Sequence, residues 1–528
     1  MPDEMAVQIP NPDREETAQE DLTGRDRLVS NVIFSWGANL VFIAAGFVMP
    51  RMINQHLGQA VLGVWDFAWS FVSYFNMVEA GIGGAVSRYV AKYRMAGDIS
   101  GLNRIMSSAS CVLAVAGMLV LVMTVAFALS LPQLFGTRLR ENTHVAQWVL
   151  LALGVSMGIQ VSCSAFSGVL TGCHRWNLSN MVCSGWYGVT VVAMILALLL
   201  GKGLPSLAAV TLVGLILDRV TTVILAYRVC KGLHLNCSLV GWKTVKELYV
   251  FGGKSLIPIV SKLLLNQTTS LLIVAYLGPA ALALYSRPRS LILQVDKLVQ
   301  QMATTLTPTT SSLQHSGHLE EIQRLLVKSV RYSLYLLLPL VLTLTFFGGP
   351  IIELWMGPKY ANGLLPAIIA IGFLVPIGQT SATRVLVGLN AHGRAGMAEL
   401  VASLCSVGLA LLVLQYLRWG LAGVAFAVTL PLTVMNLTYL PRLVCRRIGI
   451  DMRRYFLSVA AGPLVHVLPF VACLIVARII SHSRPLTGLV FGGAAGGLSL
   501  AVVYYRHALP DRIRSRISLS RGWRTSDQ

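Results

Sequence analysis

The sequence predicts an all-α polytopic membrane protein: about fourteen transmembrane helices, in two parallel six-helix lobes plus two extra C-terminal helices. Three observations predict it. The chain is 55% hydrophobic and only 12% charged, with a mean hydropathy of +0.68; a soluble globular protein carries about 25% charged residues. Apolar runs of about 20 residues, the length that crosses a bilayer, recur along the chain. Residues 57–98 also have a weak copy at 277–318: Leu57 meets Leu277, Gly58 meets Gly278, Ala60 meets Ala280, Leu62 meets Leu282, Ser70 meets Ser290, Gly97 meets Gly317, and Trp65 meets Tyr285. Internal repeats of this kind build many transporters, with the substrate held between the halves.

Taken in order, residues 1–28 are polar and acidic and lack a basic segment leading into a short apolar run. They read as a disordered cytoplasmic tail rather than a cleavable signal. Candidate spans follow at roughly 29–50, 61–87, 105–131, 146–171, 178–200, 206–229, 249–276, 279–311, 327–347, 364–388, 396–416, 420–441, 456–479 and 486–506. In lipid each must close its own backbone hydrogen bonds, which a helix does. The repeat offset lays the second span on the eighth and the first on the seventh. A shift of six spans preserves orientation, so the lobes are parallel copies about an axis along the membrane normal. The division expected is a tail (1–28), an N-lobe (29–230), a cytoplasmic linker (231–248), a C-lobe (249–445), two added helices (446–506) and a basic cytoplasmic tail (507–528). Gly488, Gly492 and Gly496 in the last span suit tight packing inside the chain better than a dimer face.

Net charge is +20, yet no polar basic domain exists to hold nucleic acid, so no nucleic-acid partner is expected. The tails and the connections near 92–104, 174–175, 228–246, 324–331, 394 and 442–454 hold about 26 Lys and Arg. The alternate connections hold about seven. The positive-inside tendency makes the first set, and both termini, cytoplasmic. The nine Cys form no CxxC pair and read as small buried hydrophobes.

Charges inside spans are costly and mark function by default. The second span carries Asp66 and Glu79, with Arg88 at its cytoplasmic end, and Gly81, Gly83 and Gly84 to admit a close neighbour. The seventh carries Lys254, Pro258, Lys262 and Asn266 at four-residue spacing, on one slowly drifting face; Lys254 also has the interface within snorkelling reach. The eighth carries Arg287 and Arg289, then Gln294, Asp296, Lys297, Gln300 and Gln301. Its stripe of Ser286, Ser290, Gln294, Lys297 and Gln301 must meet water or another polar surface, while Asp296 and Lys297 can neutralise each other. Asp218 beside Arg219 reads as a structural pair, and Arg384 sits near a helix end. Cations outnumber anions along this seam, and Arg forks and Lys bind phosphate. An anionic substrate therefore fits better than a cationic drug, with Glu79 and Asp66 available to a coupling proton or sodium ion.

Enzymatic readings fare poorly. Gly253-Lys254-Ser255 ends like a phosphate-binding loop, but position 248 is Leu and no strand precedes it. The ten His are scattered, so no metal site is expected, and His466 reads as a packing residue. No soluble segment is long enough to house a glycosyltransferase or polymerase site.

The phrases LGQAVLGVWDFAWSF and MVEAGIGGAVSRYVAKYRMAGD, with FGGKSLIPIVSKLLLNQTTSLLIVAYLGPAALALYSRPRSL in the second lobe, resemble the polysaccharide (O-antigen and capsule repeat-unit) flippases. These belong to the multidrug/oligosaccharidyl-lipid/polysaccharide (MOP, MATE-like) exporter superfamily. Glu79 matches the family's acidic residue before Gly-x-Gly, here Gly81 and Gly83, and Arg88 its following basic residue. Thr269 stands where many members carry Asp. The resemblance covers about residues 28–506. It implies a V-shaped fold in a bacterial inner membrane. It also implies alternating access that moves an undecaprenyl-pyrophosphate-linked oligosaccharide from the cytoplasmic to the periplasmic leaflet. No cofactor is implied, although coupling to a proton or sodium gradient is compatible, and a polysaccharide polymerase or assembly protein is a natural partner. The expected pyrophosphate and sugar contacts are Lys262, Arg287, Arg289, Arg88, Lys254, Arg384, Asn266, Gln294 and Gln301; the expected coupling groups are Glu79 and Asp66. The alternatives are a MATE-type drug/cation antiporter, which calls for an acidic cavity, and a flippase for the peptidoglycan lipid precursor.

Overall fold

The computed structural model describes residues 28–507 apart from 254–255 and 482–484; the expected tails lie outside them. Among the described residues the chain is helical, without strands. The N-lobe holds α1 (Leu28–Leu57), α2 (Gln59–Val72), α3 (Asn76–Met95), α4 (Ile99–Leu139), α5 (Thr143–Gly172), α6 (Trp176–Leu199) and α7 (Leu204–Val229). A linker with helix α8 (Trp242–Gly253) leads to α9 (Leu256–Leu263), α10 (Thr269–Leu277), α11 (Pro279–Ala303), α12 (Leu306–His315), α13 (Leu319–Met356), α14 (Leu364–Gly378), α15 (Thr380–Gly388), α16 (His392–Leu412) and α17 (Gly420–Ile448). Then come α18 (Met452–His466), α19 (Leu468–Ile480) and α20 (Pro485–His507). We call the end where α1 starts and α20 finishes the tail end, and the opposite one the far end.

The repeat seen in sequence is written into the backbone. Gly58 and Gly278 both cap the following helix from the same left-handed conformation, φ 89 and ψ 169 against φ 88 and ψ 173. A side chain there would strain the chain. Gly97 and Gly317 pair likewise, and further on so do His174 with Asn390, Gly201 with Arg418, and Gly232 with Gly449. The packing repeats as well. In the N-lobe α1 lies on α6, α4 on α5, and α5 and α6 on α7; in the C-lobe α9 lies on α16, α13 on α14, and α14 and α16 on α17.

Several expected spans change shape. The 61–87 span is α2 and α3 joined by a 3-10 turn, Ser73–Phe75, and the 249–276 span contains a π-turn, Leu264–Thr268. The 456–479 span is α18 and α19, bent by 40° where Leu468 and Pro469 start a new helix. Proline there cannot donate to the preceding turn. The 105–131 span grows to the 41 residues of α4, about 61 Å of helix, so it outreaches the bilayer core. By length and apolarity the described residues offer ten membrane-crossing stretches, or eleven counting the bent pair. That criterion does not reach fourteen. It treats 99–172 as one stretch, and it passes over α2–α3 and α11, which hold the intramembrane charges.

The linker is not a loose tether. Asn103 donates to the Gly232 carbonyl at 3.0 Å and accepts from the His234 amide at 2.9 Å; Ser107 and Ser108 accept from the Asn236 and Gly241 amides. These buried α4 side chains hold α8 against α3 and α4. In the N-lobe core Phe71 stacks on Phe127 at 3.9 Å and Phe67 meets Phe135 at 5.1 Å, fixing α2 to α4. That locks the helix that carries Asp66.

Gly488, Gly492 and Gly496 face α19, where added carbons would meet Ser481, Ala477 and Phe470. The glycine stripe therefore serves packing within the chain. Gly492→Leu should lower the midpoint of thermal unfolding, at a cost of about 1–3 kcal/mol for overpacking. Gly493→Leu, with nothing within 4 Å, should leave it unchanged.

Candidate functional site

The expected site residues separate into a buried far half and a more exposed tail half. In the far half the lobes meet through α2 and α11. Gly63 lies directly on the Pro279 backbone, leaving no room for a Cβ. Gln59 donates to the Ala280 carbonyl at 3.1 Å, Asn54 to the Met356 carbonyl at 3.1 Å, and Trp355 to the Phe47 carbonyl at 2.7 Å. Tyr360 donates to the Asn54 side chain at 3.1 Å. Glycine, not a larger residue, is required at 63 because the helices touch backbone to backbone. Added carbons at Gly83 and Gly84 would meet nothing within 4 Å, and the close approach to this part of α3 is made by Gly168 and Gly172 of α5, where added carbons would meet Val86 and the Ser87 carbonyl.

Deeper along the same seam Arg287 of α11 forms an ion pair with Asp66 of α2, joining the lobes. Arg287 is 5% exposed and Arg289 6%. Arg289 stays within its own lobe: it donates to the Asn266 carbonyl at 3.3 Å and to the Asn266 side-chain oxygen, with its guanidinium 5.8 Å from the Tyr285 ring centre. Asn266 sits in the π-turn, a local break in the helical ladder that recurs at functional sites. Below it, Tyr74 and Thr268 share a hydrogen bond of 2.6 Å across the lobes. In this conformation, then, Arg287, Arg289 and Asn266 are committed to partners and do not line an open seam.

Towards the tail end the facing surfaces of the lobes become exposed. Arg88 on α3, Lys262 on α9, and Lys297 and Gln301 on α11 are exposed, and Gln294 and Arg384 are half-buried. The polar stripe predicted for α11 thus meets open space only in this half. Within the C-lobe wall, Lys262 and Arg384 both act electrostatically on Asp296, and Lys262 and Asp296 act on Glu399. Asp296 accepts from Gln300 at 2.6 Å. Gln300 is its hydrogen-bond partner, Lys262 and Arg384 act on it from beyond ion-pair distance, and Lys297, its neighbour in sequence, is exposed. Glu399 in α16 escaped the sequence reading, although a carboxylate inside an apolar span is the same signal that flagged Asp66. Cations remain in excess in this half. Lys254 and the side chain of Glu79 lie outside the described residues.

Asp218 and Arg219 form their own pair at 2.6 Å in the N-lobe, and Arg219 also donates to Ser167 at 3.1 Å. They border a cavity of about 280 Å³ with Trp65, Trp69 and Trp186. His466 accepts or donates one hydrogen bond with Tyr335 at 2.7 Å, the packing role expected of it. Among the described residues no His, Cys, Asp and Glu group suits a metal ion.

Residues 106–364 match the family described as polysaccharide biosynthesis protein. A putative O-antigen transporter of Shigella flexneri is 21% identical over 331 residues, 61% of this chain and 77% of that one. Among solved structures, the lipid II flippase MurJ in an inward closed conformation superposes with a TM-score of 0.68 at 14% identity, covering 91% of this chain and 100% of that one. An inward-facing multidrug resistance MATE family transporter of the MOP superfamily gives 0.66 at 16% identity, covering 80% and 98%. At these identities the two structures establish the fold.

Proposed function

We propose that the chain is a polysaccharide-biosynthesis transporter of the MOP type and that it flips an undecaprenyl-pyrophosphate-linked oligosaccharide from the cytoplasmic to the periplasmic leaflet of a bacterial inner membrane, a reading supported by the family match over residues 106–364, the O-antigen transporter relative and the shared fold. The observation that supports the reading is the uneven seam: latched at the far end, with exposed and mostly positive residues towards the basic tail end. Such a shape receives an anionic lipid headgroup from the side on which Lys and Arg are concentrated.

Lys262 and Arg384 are the pyrophosphate ligands of this conformation, with Arg88 nearer the entrance. Asp296 and Glu399 lie within electrostatic reach of Lys262, and Asp296 of Arg384, without forming ion pairs, so both cations are available to an anionic ligand. Gln294 and Gln301 offer amides to sugar hydroxyls. Switching requires the Asp66–Arg287 pair to open, which bares Asp66 to a coupling proton or sodium ion and releases Arg287 toward the phosphate. Glu79 and Lys254, singled out by the sequence, are further candidates for coupling and for phosphate.

Lys262→Ala with Arg384→Ala should slow flipping about tenfold or more, since charge-assisted contacts contribute about 1.5–3 kcal/mol each. The host should then accumulate lipid-linked oligosaccharide and lose surface polymer. Unchanged surface polymer would remove the cavity assignment. New sensitivity to cationic drugs, with polymer intact, would favour the antiporter reading instead.

A further inference from the structure

We propose that the corner where the α15–α16 turn meets the end of α17 binds an anionic phospholipid. Arg394, from the first turn of α16, and Arg442, Arg446 and Arg447, from the last turns of α17, line one pocket of about 730 Å³ together with Asn390 and Tyr439. All four arginines are exposed, and no acidic residue lines the pocket. Topology alone is satisfied by scattered Lys or Arg. Four guanidinium forks from two helices around one space form a phosphate receptor, since the planar fork matches phosphate oxygens bidentately.

The surface leading away from the pocket specifies a lipid rather than a soluble phosphate. Met397, Val401 and Leu404 on α16 are 50%, 53% and 52% exposed. They continue the line of Arg394 at three- and four-residue spacing, one strip along a single helix face. A headgroup phosphate in the pocket lays an acyl chain along that strip. Glu399 lies two residues from Met397 and so on the other side of α16, in the charge cluster of the transport seam. The two sites are back to back on one helix and do not share residues.

The matching corner of the N-lobe is an internal contrast. There Arg94, Arg175, Arg228 and Lys231 border a smaller pocket of about 490 Å³ that also contains Asp98. The Asp98 carboxylate accepts from the Gly101 amide and the Ser100 hydroxyl, both at 2.8 Å. These bonds hold it well below the usual carboxylate range, so it stays a negative charge in the pocket. The C-lobe corner carries no such charge and is the stronger anion site. Anionic lipids are attracted to basic membrane-edge clusters, so the tail end is where such a lipid is found.

The test uses the full-length protein, delipidated in neutral detergent, with melting followed after adding phosphatidylglycerol, phosphatidylcholine or inorganic phosphate. Phosphatidylglycerol should raise the melting temperature beyond phosphatidylcholine, and phosphate should not. Arg442→Ala with Arg446→Ala and Arg447→Ala should remove most of that increment, while Arg228→Ala with Lys231→Ala should leave most of it. Equal effects of the two lipids, a full effect of phosphate alone, or an undiminished increment in the triple variant would each overturn the proposal. Should the triple variant not fold, Arg446→Gln carries the test through apparent affinity for phosphatidylglycerol. Loss of one fork should weaken it about threefold or more, and an unchanged affinity overturns the site.

Discussion

Arg287→Gln will destabilise the protein and arrest transport, and a second substitution at Asp66 will restore stability without restoring transport. Removing one partner of a buried ion pair leaves an uncompensated charge, at a cost of about 3–5 kcal/mol. Asp66 retains 17% side-chain exposure toward the seam, so the loss expected here is nearer about 2–3 kcal/mol. Asp66→Asn with Arg287→Gln replaces the pair by two amides that satisfy each other, and the stability penalty should fall below the sum of the single variants by about 1–3 kcal/mol. Unfolding of the four proteins in detergent measures this directly. Strictly additive losses would mean that the pair does not couple the lobes. Flipping should fail in all three variants, because the transition needs a contact that forms and breaks.

Gly63→Ala should have an effect opposite in sign to helix propensity. Alanine in place of glycine within a helix ordinarily gains up to about 1 kcal/mol. At 63, however, the new methyl meets the Pro279 backbone, and backbone cannot turn aside as a side-chain tip does. The far-end latch should open, and a Gln59→Cys with Ala280→Cys pair should lose its cross-linking in the Gly63→Ala background. Gly84→Ala, facing open space, should retain both cross-linking and transport. Retained cross-linking in Gly63→Ala would show that α2 and α11 can separate slightly without opening the latch.

Composition and the repeat made the fold legible because lipid enforces helices and because duplication preserved Gly58 and Gly278 in the same conformation. The polar residues were legible as a set but not as an arrangement. Sequence spacing placed Asn266 on one face with Lys254, Pro258 and Lys262, and flagged Arg287 and Arg289 as charges inside a span, yet not which partner each would meet. Asp66 lies 221 positions from Arg287, and no local pattern links them. The π-turn that lets Asn266 receive Arg289 depends on tertiary contacts, so four-residue spacing did not disclose it. Asp296 and Lys297 looked self-neutralising because adjacency in sequence suggests it; in a helix neighbours point about 100° apart, and Asp296 pairs with Gln300 one turn on. Glu399 was missed although its signal was present, a carboxylate in an apolar run.

The parallel relation of the lobes constrains how the molecule changes state. In an inverted repeat the two halves can exchange conformations, and the result opens to the opposite side of the membrane. Here such an exchange returns a molecule open to the same side, because both copies point the same way. The offset between matched left-handed positions also falls, from Gly97 and Gly317 to His174 and Asn390, by four residues, close to one helical turn. The outward-open form therefore has no template within this fold. It has to come from a changed angle between the lobes or from bending inside helices, and the π-turn at Leu264–Thr268 and the break between α14 and α15 at Gln379 are two places where the ladder is already interrupted.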